Sequence, residues 1–342
     1  MAWYNSDNNS CYVIWSRARI YRNIDGMDFS SSKLDKKVSF NINKIGKILG
    51  ENGFHISDES TPEFYLKYAE MGYVDKGFIE SDNDKSLYMN EPCNLALAIG
   101  GEDFICISSM LPSFSIEEAY RNASTVEVLL DSEVDFAYSE NIGYISPFPL
   151  HTGHGVVLSS CIYLPALSGL SEIKKIIKKA TMQGYYLHPM TTYNENAGGL
   201  YVIEYTPDIN TAVNVGINKL SDFIKYIISL EKEYESNVFG NNTAVLNKAW
   251  RTIGIMEYSS SICEEEMLSL ISNIRLMHCL ECSDKLPYLI NLASLNKLQA
   301  ELMNTYIYTD IAVPDILKDG CDKERAHRLN EYIKALRTRE VV

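Results

Sequence analysis

The sequence predicts an α+β fold that is followed by an all-helical region. Short apolar runs typical of strands alternate with helical patterns as far as about residue 238. Beyond Thr243 only helical patterns remain, and Gly240-Asn241-Asn242 forms a turn-prone joint between the two parts. A chain of 342 residues is long enough for two hydrophobic cores. We therefore place an α+β domain at residues 1–238 and a helical domain at residues 243–342.

The first elements follow from local patterns. An extended segment reaches Arg22, with a strand predicted at Cys11–Trp15. Apolar residues at spacings of three and four predict helices at Ile42–Asn52 and Pro62–Met71. Two apolar runs around Gly100-Gly101 predict a hairpin, and the capping-box pattern Ser115-Ile-Glu-Glu118 opens a helix. The hairpin strands are Leu95–Ile99 and Phe104–Ser108, and the capped helix extends to about Leu130.

The remaining elements are predicted in the same way. The further strands are Tyr144–Ile145, Gly155–Leu164, Gly184–Leu187 and Leu200–Tyr205. The helices between and after them are Ser171–Met182 and Asn218–Glu235. The C-terminal helices are Ala244–Met256, Ile262–Leu280, Leu286–Met303 and Cys321–Arg337.

The charge of the chain limits its partners. A net charge of −14 disfavours nucleic acid, because phosphate backbones require a basic face. A nucleotide such as ATP could bind only where a tight cluster of Arg or Lys overrides the field of the whole protein. The apolar runs are shorter than a membrane span, and Met1–Asp7 lacks the features of a signal peptide. We expect a cytoplasmic protein without a membrane segment.

The eight cysteines predict free thiols. Disulfide frameworks are typical of short secreted chains, and no secretion signal is evident here. Cys279 and Cys282, which follow His278, form the one close pair, but a structural zinc site needs four ligands and no second pair lies at suitable spacing. We expect no metal.

One N-terminal run carries a family resemblance. Ser16-Arg17-Ala18-Arg19-Ile20-Tyr21-Arg22-Asn23 resembles the phosphagen-kinase pattern S-R-x-R-x-x-R-N. Arginines two apart on a strand point to one face, where they can hold phosphate oxygens. Taken alone, the run also fits a solvated basic strand edge. The match continues in order through Phe136–Ile145, Thr152–Gly155, Tyr163–Leu167, Asn194–Ile203, Ala249–Ile255, Ile274–Leu276 and Asp322–Ala326.

The chain is thus similar to the bacterial protein-arginine kinases of the ATP:guanido phosphotransferase family. The resemblance implies a phosphagen-kinase-like (glutamine-synthetase-like) antiparallel sheet flanked by helices, and C-terminal helices that dimerise and bind phosphoarginine. It implies phosphoryl transfer from Mg-ATP to a guanidinium. It also implies action with a Clp-type chaperone–protease and a zinc-binding activator protein.

Most of the family's catalytic residues are replaced. The family surrounds the transferred phosphoryl group with five arginines, a carboxylate base and a cysteine, because the transition state needs positive charge and positioning. Only Arg17 and Arg19 of the five arginines remain, as a remnant nucleotide-phosphate site. With Asn90-Glu91 aligned to the start of the N-E-E-D-H-x-R motif, the replaced positions are Pro92 (the catalytic carboxylate), Cys93 and Asn94 (the next two), Ala96, Val157 and either Leu187 or His188 (three arginines), and Phe148 (the cysteine).

Magnitudes favour an inactive site. A charge-assisted hydrogen bond to phosphate contributes roughly 1.5–3 kcal/mol, so three missing arginines remove on the order of 4–8 kcal/mol. Loss of the base costs a further factor of about 10²–10⁴ in rate. Glu195 is a candidate substitute carboxylate, while Glu91 would point to the opposite strand face. His151 and His154 could each donate to a phosphate, although an ordinary loop role is the simpler interpretation.

The C-terminal motif is only partly altered. Asp322 and Arg325 remain as a phosphoarginine-site remnant, while the first arginine of the family's R-D-x-x-R-A motif is Cys321. Lys318 and Lys323 are two candidates for the missing charge. The alternative is an ordinary solvated terminal helix.

Two functional hypotheses follow. The first is a pseudokinase with a regulatory or adaptor role in Clp-linked protein quality control, which needs no cofactor. It would act as a homodimer, or as a heterodimer with an active arginine kinase. The second is an active, Mg-ATP-dependent protein-arginine kinase with a remodelled site. A third possibility is a structural dimer partner without a small-molecule ligand.

Overall fold

The computed structural model describes residues 2–5, 10–27, 36–57, 61–170, 172–190, 197–240, 242–311 and 318–339. Two compact units are distinguished. The first comprises residues 1–3, 15–160 and 204–223, and the second comprises residues 4–14, 161–203 and 224–342. The predicted domain limits at 238 and 243 stay a prediction.

Ten strands are described. They are β1 (Val13–Arg22), β2 (Phe54–Ile56), β3 (Ser86–Asn90), β4 (Leu95–Ile99), β5 (Ile105–Pro112), β6 (Tyr138–Ser139), β7 (Gly143–Tyr144), β8 (Val156–Tyr163), β9 (Tyr185–Pro189) and β10 (Leu200–Tyr205). Eight of them form one sheet in the order β2-β3-β4-β5-β1-β8-β10-β9, and β6 pairs with β7. The four pairs from β2 to β1 are antiparallel.

Twelve α-helices are described. They are α1 (Lys36–Glu51), α2 (Pro62–Glu70), α3 (Lys76–Glu80), α4 (Ile116–Asp131), α5 (Pro165–Gly169), α6 (Ile173–Met182), α7 (Val213–Val238), α8 (Asn242–Tyr258), α9 (Glu264–Cys279), α10 (Leu292–Glu301), α11 (Asn304–Ile311) and α12 (Lys318–Arg339). In the described chain beyond α7 the regular elements are helical. The predicted α+β class, with its helical C-terminal region, is confirmed.

In the first unit, β1 lies near the centre of the sheet and is buried along its whole length. Its register with β5 places Arg17 opposite Met110, Arg19 opposite Ser108 and Tyr21 opposite Cys106. Because opposite residues in an antiparallel pair share a face, these six side chains point the same way. A buried strand with two arginines on one face must supply them with acceptors.

In the second unit, helices α8 to α12 enclose a hydrophobic core. Its most buried members include Ile271, Ile274, Leu295, Leu329 and Ile333. Two buried arginines, Arg275 and Arg325, are embedded in this largely apolar interior. Both need hydrogen-bond partners there, since an unpaired buried charge is costly.

Some elements differ from the sequence-based expectation. Strands β2 and β3 and the short helices α3 and α5 were not predicted, because short elements carry little periodicity. The helix expected to start at Leu286 begins only at Leu292, where the Asn291 side chain caps the N–H of Ser294. Ser115 does precede α4, but its hydroxyl donates to the Pro112 carbonyl and makes no cap hydrogen bond.

Candidate functional site

The guanidinium of Arg17 is buried and bound by protein acceptors on all three nitrogens. Nε donates to Ser159 Oγ at 3.0 Å, Nη1 to the Gly72 carbonyl at 2.8 Å and Nη2 to Glu204 Oε1 at 2.9 Å. Burial, and secondly the nearby charge of Arg19, lower the pKa of Arg17 to about 10. The arginine therefore stays charged near neutral pH, with Glu204 as its counter-ion.

Arg19 points into the same interior. Its Nη2 donates to the carbonyls of Gly72 at 2.9 Å and Val74 at 3.0 Å. Its Nε is buried and has no partner among the described residues. Gly72 therefore accepts from both arginines, and its φ of +89° is accessible mainly to glycine. A side chain there would lie 3.2 Å from Arg17 Nη1.

Acidic groups balance the two arginines. Glu204 is paired with Arg17, and the Asp75 carboxylate contributes to the field at Arg19. The two positive charges are thus accompanied by two negative ones in the first unit. This arrangement offers a triphosphate little net attraction, because anion binding depends on uncompensated positive charge.

The neighbouring strands present neutral side chains to the arginines. Cys106 and Ser108 face them from β5, and burial raises the pKa of the Cys106 thiol. Val157 lies two residues before Ser159 on β8, so both residues point to the same face. Ala96 pairs with Ser108 and lies on that face one strand further out. Val157 and Ala96 thus lie on the arginine face, and neither side chain offers a positive charge to a phosphate.

Pro92 and Cys93 lie in the turn between β3 and β4. Pro92 is exposed, and Cys93 has a φ of 53°. The Asn90 side chain closes the turn by accepting the backbone N–H groups of Asn94 and Leu95. These contacts are those of an ordinary tight turn.

The loop between β4 and β5 carries a second acidic pair, Glu102-Asp103. Asp103 is buried and accepts hydrogen bonds from Asn23 Nδ2 at 2.7 Å and Ser146 Oγ at 2.6 Å, while its Oδ2 lies 2.6 Å from His151 Nδ1. The His151 ring stacks on Tyr21, with 3.8 Å between centroids. Asp103 therefore orients His151 beside a residue of the arginine face.

The other predicted positions are dispersed. Phe148 is half-buried, with its ring 5.4 Å from that of His151. Leu187 is buried and His188 is half-buried on β9, in the second unit. Glu195 lies outside the described residues.

Arg325, in the second unit, is completely buried and serves as a structural link. Its Nε donates to the Leu302 carbonyl at 2.8 Å, and its Nη1 donates to the Ile262 carbonyl and to Asp322 Oδ1, both at 2.7 Å. Its Nη2 donates to Asn304 Oδ1. Asp322 and Arg325 are thus brought together, but Arg325 is bound on all three nitrogens.

Sequence reasoning missed Gly72, Asp75 and Glu204. The first two lie on the α2–α3 connection, which is distant from β1 in the sequence and contacts it through the tertiary fold. Glu204 left a detectable signal, because a glutamate near the end of an otherwise apolar strand requires a partner.

Comparison with known proteins identifies the family. The model of the ATP:guanido phosphotransferase C-terminal catalytic domain matches residues 34–234, more than half of the chain. The chain belongs to the ATP:guanido phosphotransferase family. Among curated relatives, the protein-arginine kinase of Clostridium acetobutylicum is 27% identical over 284 residues, which cover 80% of this chain and 84% of that protein. The protein-arginine kinase of Staphylococcus haemolyticus is 24% identical over 339 residues, 96% of each chain.

Solved phosphagen kinases share the family fold. A lombricine kinase structure matches with a TM-score of 0.55 at 16% identity, covering 68% of this chain and 70% of that one. The duplicated taurocyamine kinase of Schistosoma mansoni, with bound transition state analog components, matches with a TM-score of 0.55 at 19% identity and covers 66% of this chain. The chain spans about a third of that duplicated enzyme. The predicted phosphagen-kinase-like fold is confirmed.

Across the described residues, the helices are each too short or too polar to cross a membrane. Within the same part of the chain, no group of three or more His, Cys, Asp or Glu side chains is arranged to hold a metal ion.

Proposed function

We propose that this member of the family is a protein-arginine-kinase-like pseudokinase, which retains the fold for binding and does not transfer phosphate. The observation that carries the proposal is that protein acceptors already bind the guanidinium groups of Arg17 and Arg19. Gly72 binds both guanidinium groups, and Glu204 neutralises one of them. A nucleotide would have to displace these acceptors before Arg17 could contact phosphate, because all three of its nitrogens are bound.

The cost of that displacement supports the proposal. Each charge-assisted hydrogen bond exchanged for one to phosphate returns little net free energy, since one strong bond replaces another. The remaining gain would have to come from additional cations. The Val157 and Ala96 positions offer none, and the whole chain carries −14. The balanced charge around the two arginines and the negative net charge of the chain thus both disfavour nucleotide binding.

An isothermal titration with Mg-ATP tests the proposal. We expect no binding at micromolar ligand, and no phosphoarginine by mass spectrometry on an arginine-rich substrate protein. The Clostridium acetobutylicum protein-arginine kinase, assayed in parallel, is the positive control. Micromolar binding together with phosphorylated arginine would overturn the proposal.

A second candidate function is an active kinase with a remodelled site, and the Glu102-Asp103 pair favours it. Gly100–Cys106 fits the N-E-E-D-H-x-R motif as well as Asn90–Ala96 does, with Glu102 and Asp103 at the second and third acidic positions. Its loop leads into β5, the strand paired with β1, whereas Asn90–Ala96 leads into β4. In this alignment Glu102 remains as a candidate base, and Cys106 stands at the position of the motif's arginine.

Arginine phosphorylation by the wild type would separate the two functions, and a substitution of Glu102 would then identify the base. If the protein phosphorylates arginine through Glu102, Glu102→Gln should lower the rate by about 10²–10⁴, whereas Glu91→Gln should leave it unchanged. Under the pseudokinase proposal there is no activity for either substitution to remove. Both glutamates are exposed, so neither substitution should disturb folding.

We further infer a cytoplasmic dimer, either of this chain or with an active arginine kinase, that acts beside a Clp chaperone and a kinase activator protein. This inference rests on the resemblance of the chain to the bacterial protein-arginine kinases, which the resemblance implies act in this way. Light scattering of the purified chain, with and without an active arginine kinase, distinguishes a homodimer from a heterodimer. A monomer under both conditions would contradict the inference.

A further inference from the structure

Helix α6 of the second unit presents a strongly basic face, although the chain as a whole carries −14. Its sequence contains no acidic residue, and its inner side, with Ile173, Ile176 and Ala180, is buried. Residues at i, i+1, i+4 and i+5 share one side of a helix. The four lysines at this spacing are all exposed, and we call them the α6 lysine face: Lys174, Lys175, Lys178 and Lys179.

The chain neutralises this face only in part. Lys175 Nζ lies 2.8 Å from Glu172 Oε1, and Lys179 Nζ donates to the Tyr226 hydroxyl at 2.7 Å. Lys174 and Lys178 make neither a hydrogen bond nor an ion pair with the residues that the structure describes. Within that part of the chain, Glu172 therefore supplies the one ion pair of the four lysines.

The spacing of the lysines is unfavourable for an isolated helix. Lys174 and Lys178 form one i,i+4 pair, and Lys175 and Lys179 form a second. Like charges at this spacing repel each other and destabilise a helix. An acidic partner that lies across the face would remove this repulsion, so binding of such a partner gains free energy from all four positions.

Met182 extends the face with an apolar side chain. It follows Lys178 at i+4 and is 79% exposed. Methionine adapts its shape to a partner and is enriched at protein–protein interfaces. The lysine side chains add apolar stems beside their charges. A fitting partner therefore carries acidic and apolar side chains together.

The size of the face limits the kind of partner. Lys174 and Met182 are separated by about 12 Å along the helix axis, which is close to the Debye length of about 8 Å at physiological ionic strength. A flat anionic surface such as a membrane would also meet the rest of a chain with a net charge of −14. A narrow polypeptide segment can contact the face alone, and it is therefore the partner that the charge distribution favours.

We propose that the α6 lysine face binds an acidic, partly apolar segment of a partner protein. The carboxylates of that segment pair with the lysines, and its apolar side chains lie along Met182. Because the interaction is electrostatic and exposed, salt weakens it. The proposal goes beyond the proposed function, since the face belongs to the second unit whereas Arg17 and Arg19 belong to the first.

A fluorescein-labelled synthetic peptide, with glutamate and leucine at helical spacing, tests the proposal by fluorescence anisotropy with the full-length chain. We expect saturable binding that weakens in high salt, and no binding of the same peptide with glutamine in place of glutamate. The double variant Lys174→Gln/Lys178→Gln should bind about 3- to 10-fold more weakly. Its melting temperature should not fall, because both lysines lack partners among the described residues. Failure of the wild type to bind the acidic peptide would overturn the proposal.

The double variant Lys47→Gln/Lys76→Gln is the matched control. It changes the net charge by the same amount, and each of these exposed lysines is paired with a glutamate four residues further on. The control should bind the acidic peptide as tightly as the wild type does. An equal loss in both double variants would mean that the peptide responds only to net charge, which contradicts a defined surface.

Two further measurements locate the contact and identify the class of partner. Carbodiimide cross-linking followed by mass spectrometry should join the peptide carboxylates to lysines of α6, and links found only at lysines elsewhere would refute the assignment. Vesicles that contain phosphatidylserine serve as the second probe. Vesicle binding that is lost in Lys174→Gln/Lys178→Gln, without peptide binding by the wild type, would assign the face to a lipid surface and overturn the proposal.

Discussion

Glu204 Oε1 lies 2.9 Å from Arg17 Nη2, and the side chains are 25% and 6% exposed, respectively. This ion pair joins the end of β10 to β1, the strand that carries Arg17 and Arg19. The other nitrogens of Arg17 are bound by Ser159 and Gly72. The carboxylate is the charged member of this acceptor set, so it is the interaction that most directly competes with a phosphate.

Replacing Glu204 should therefore expose the arginine to anions. In Glu204→Gln the amide oxygen can still accept a hydrogen bond, but Arg17 loses its counter-ion. We expect Mg-ATP affinity to rise by about tenfold, equivalent to about 1.4 kcal/mol, while remaining weaker than micromolar. Isothermal titration measures this change.

The same substitution should lower the free energy of unfolding by about 1–3 kcal/mol in urea denaturation, because a buried cation loses its charged acceptor. Glu91→Gln, at an exposed position, is the control for both measurements. If Glu204→Gln and Glu91→Gln bind Mg-ATP equally, Glu204 does not close the site.

The sequence predicted the elements whose hydrophobic pattern extends over many residues. It predicted site residues only where they belong to one contiguous motif. The C-terminal helices and the buried strand β8 follow from periodicity that persists over many residues. The S-R-x-R run located Arg17 and Arg19 correctly on one strand face. Glu204 signalled only that it needs a partner. Its pairing with Arg17 could not be predicted, and neither could that of Gly72, because both residues are distant from β1 in the sequence and meet it only through the sheet order and the α2–α3 connection.

The buried arginine of α12 should matter for stability. Removing Arg325 would leave the Leu302 and Ile262 carbonyls without a donor and Asp322 without its ion pair. We expect Arg325→Ala to cost about 3–5 kcal/mol in urea denaturation. Arg328→Ala is the matched control, since this arginine makes a partly exposed pair with Glu324 and should change stability by at most about 1 kcal/mol.

Phosphoarginine binding distinguishes the two roles of Arg325. If Arg325 is a structural link, the wild type should not bind free phosphoarginine. The melting temperature should then fall for Arg325→Ala and not for the control Arg328→Ala. A ligand site would give the reverse: wild-type binding that Arg325→Ala abolishes, with the stability unchanged. That second result would support the predicted phosphoarginine-site remnant at Asp322 and Arg325.

The Asp103 carboxylate should hold its loop through three neighbours. Asn23 and Ser146 donate to Oδ1, and His151 Nδ1 lies at hydrogen-bond distance from Oδ2. Asp103→Asn places an amide donor among these donors, so we expect a loss of about 2–4 kcal/mol in unfolding free energy. Asp135→Asn, at an exposed aspartate, should be neutral. An equal effect of both substitutions would show that the cluster contributes nothing.

Glu231 on α7 should make stability depend on pH. It is fully buried and accepts the backbone N–H groups of Ala166 at 2.6 Å and Leu167 at 3.0 Å. Burial raises its pKa from 4.5 to about 7, against the opposing effect of those two hydrogen bonds. The folded protein therefore keeps this proton at pH values where the unfolded chain has released it.

Because the folded state binds the extra proton, the contribution of Glu231 to stability is greatest below pH 4.5 and declines as the pH rises to about 7. The decline amounts to about 3 kcal/mol. Urea denaturation at pH 5, 6 and 7 should show a shallower decline for Glu231→Gln than for the wild type, whereas Glu233→Gln, at an exposed neighbour, should follow the wild type. Parallel curves for the wild type and Glu231→Gln would mean that Glu231 is already ionised in the folded protein, held by its two backbone donors.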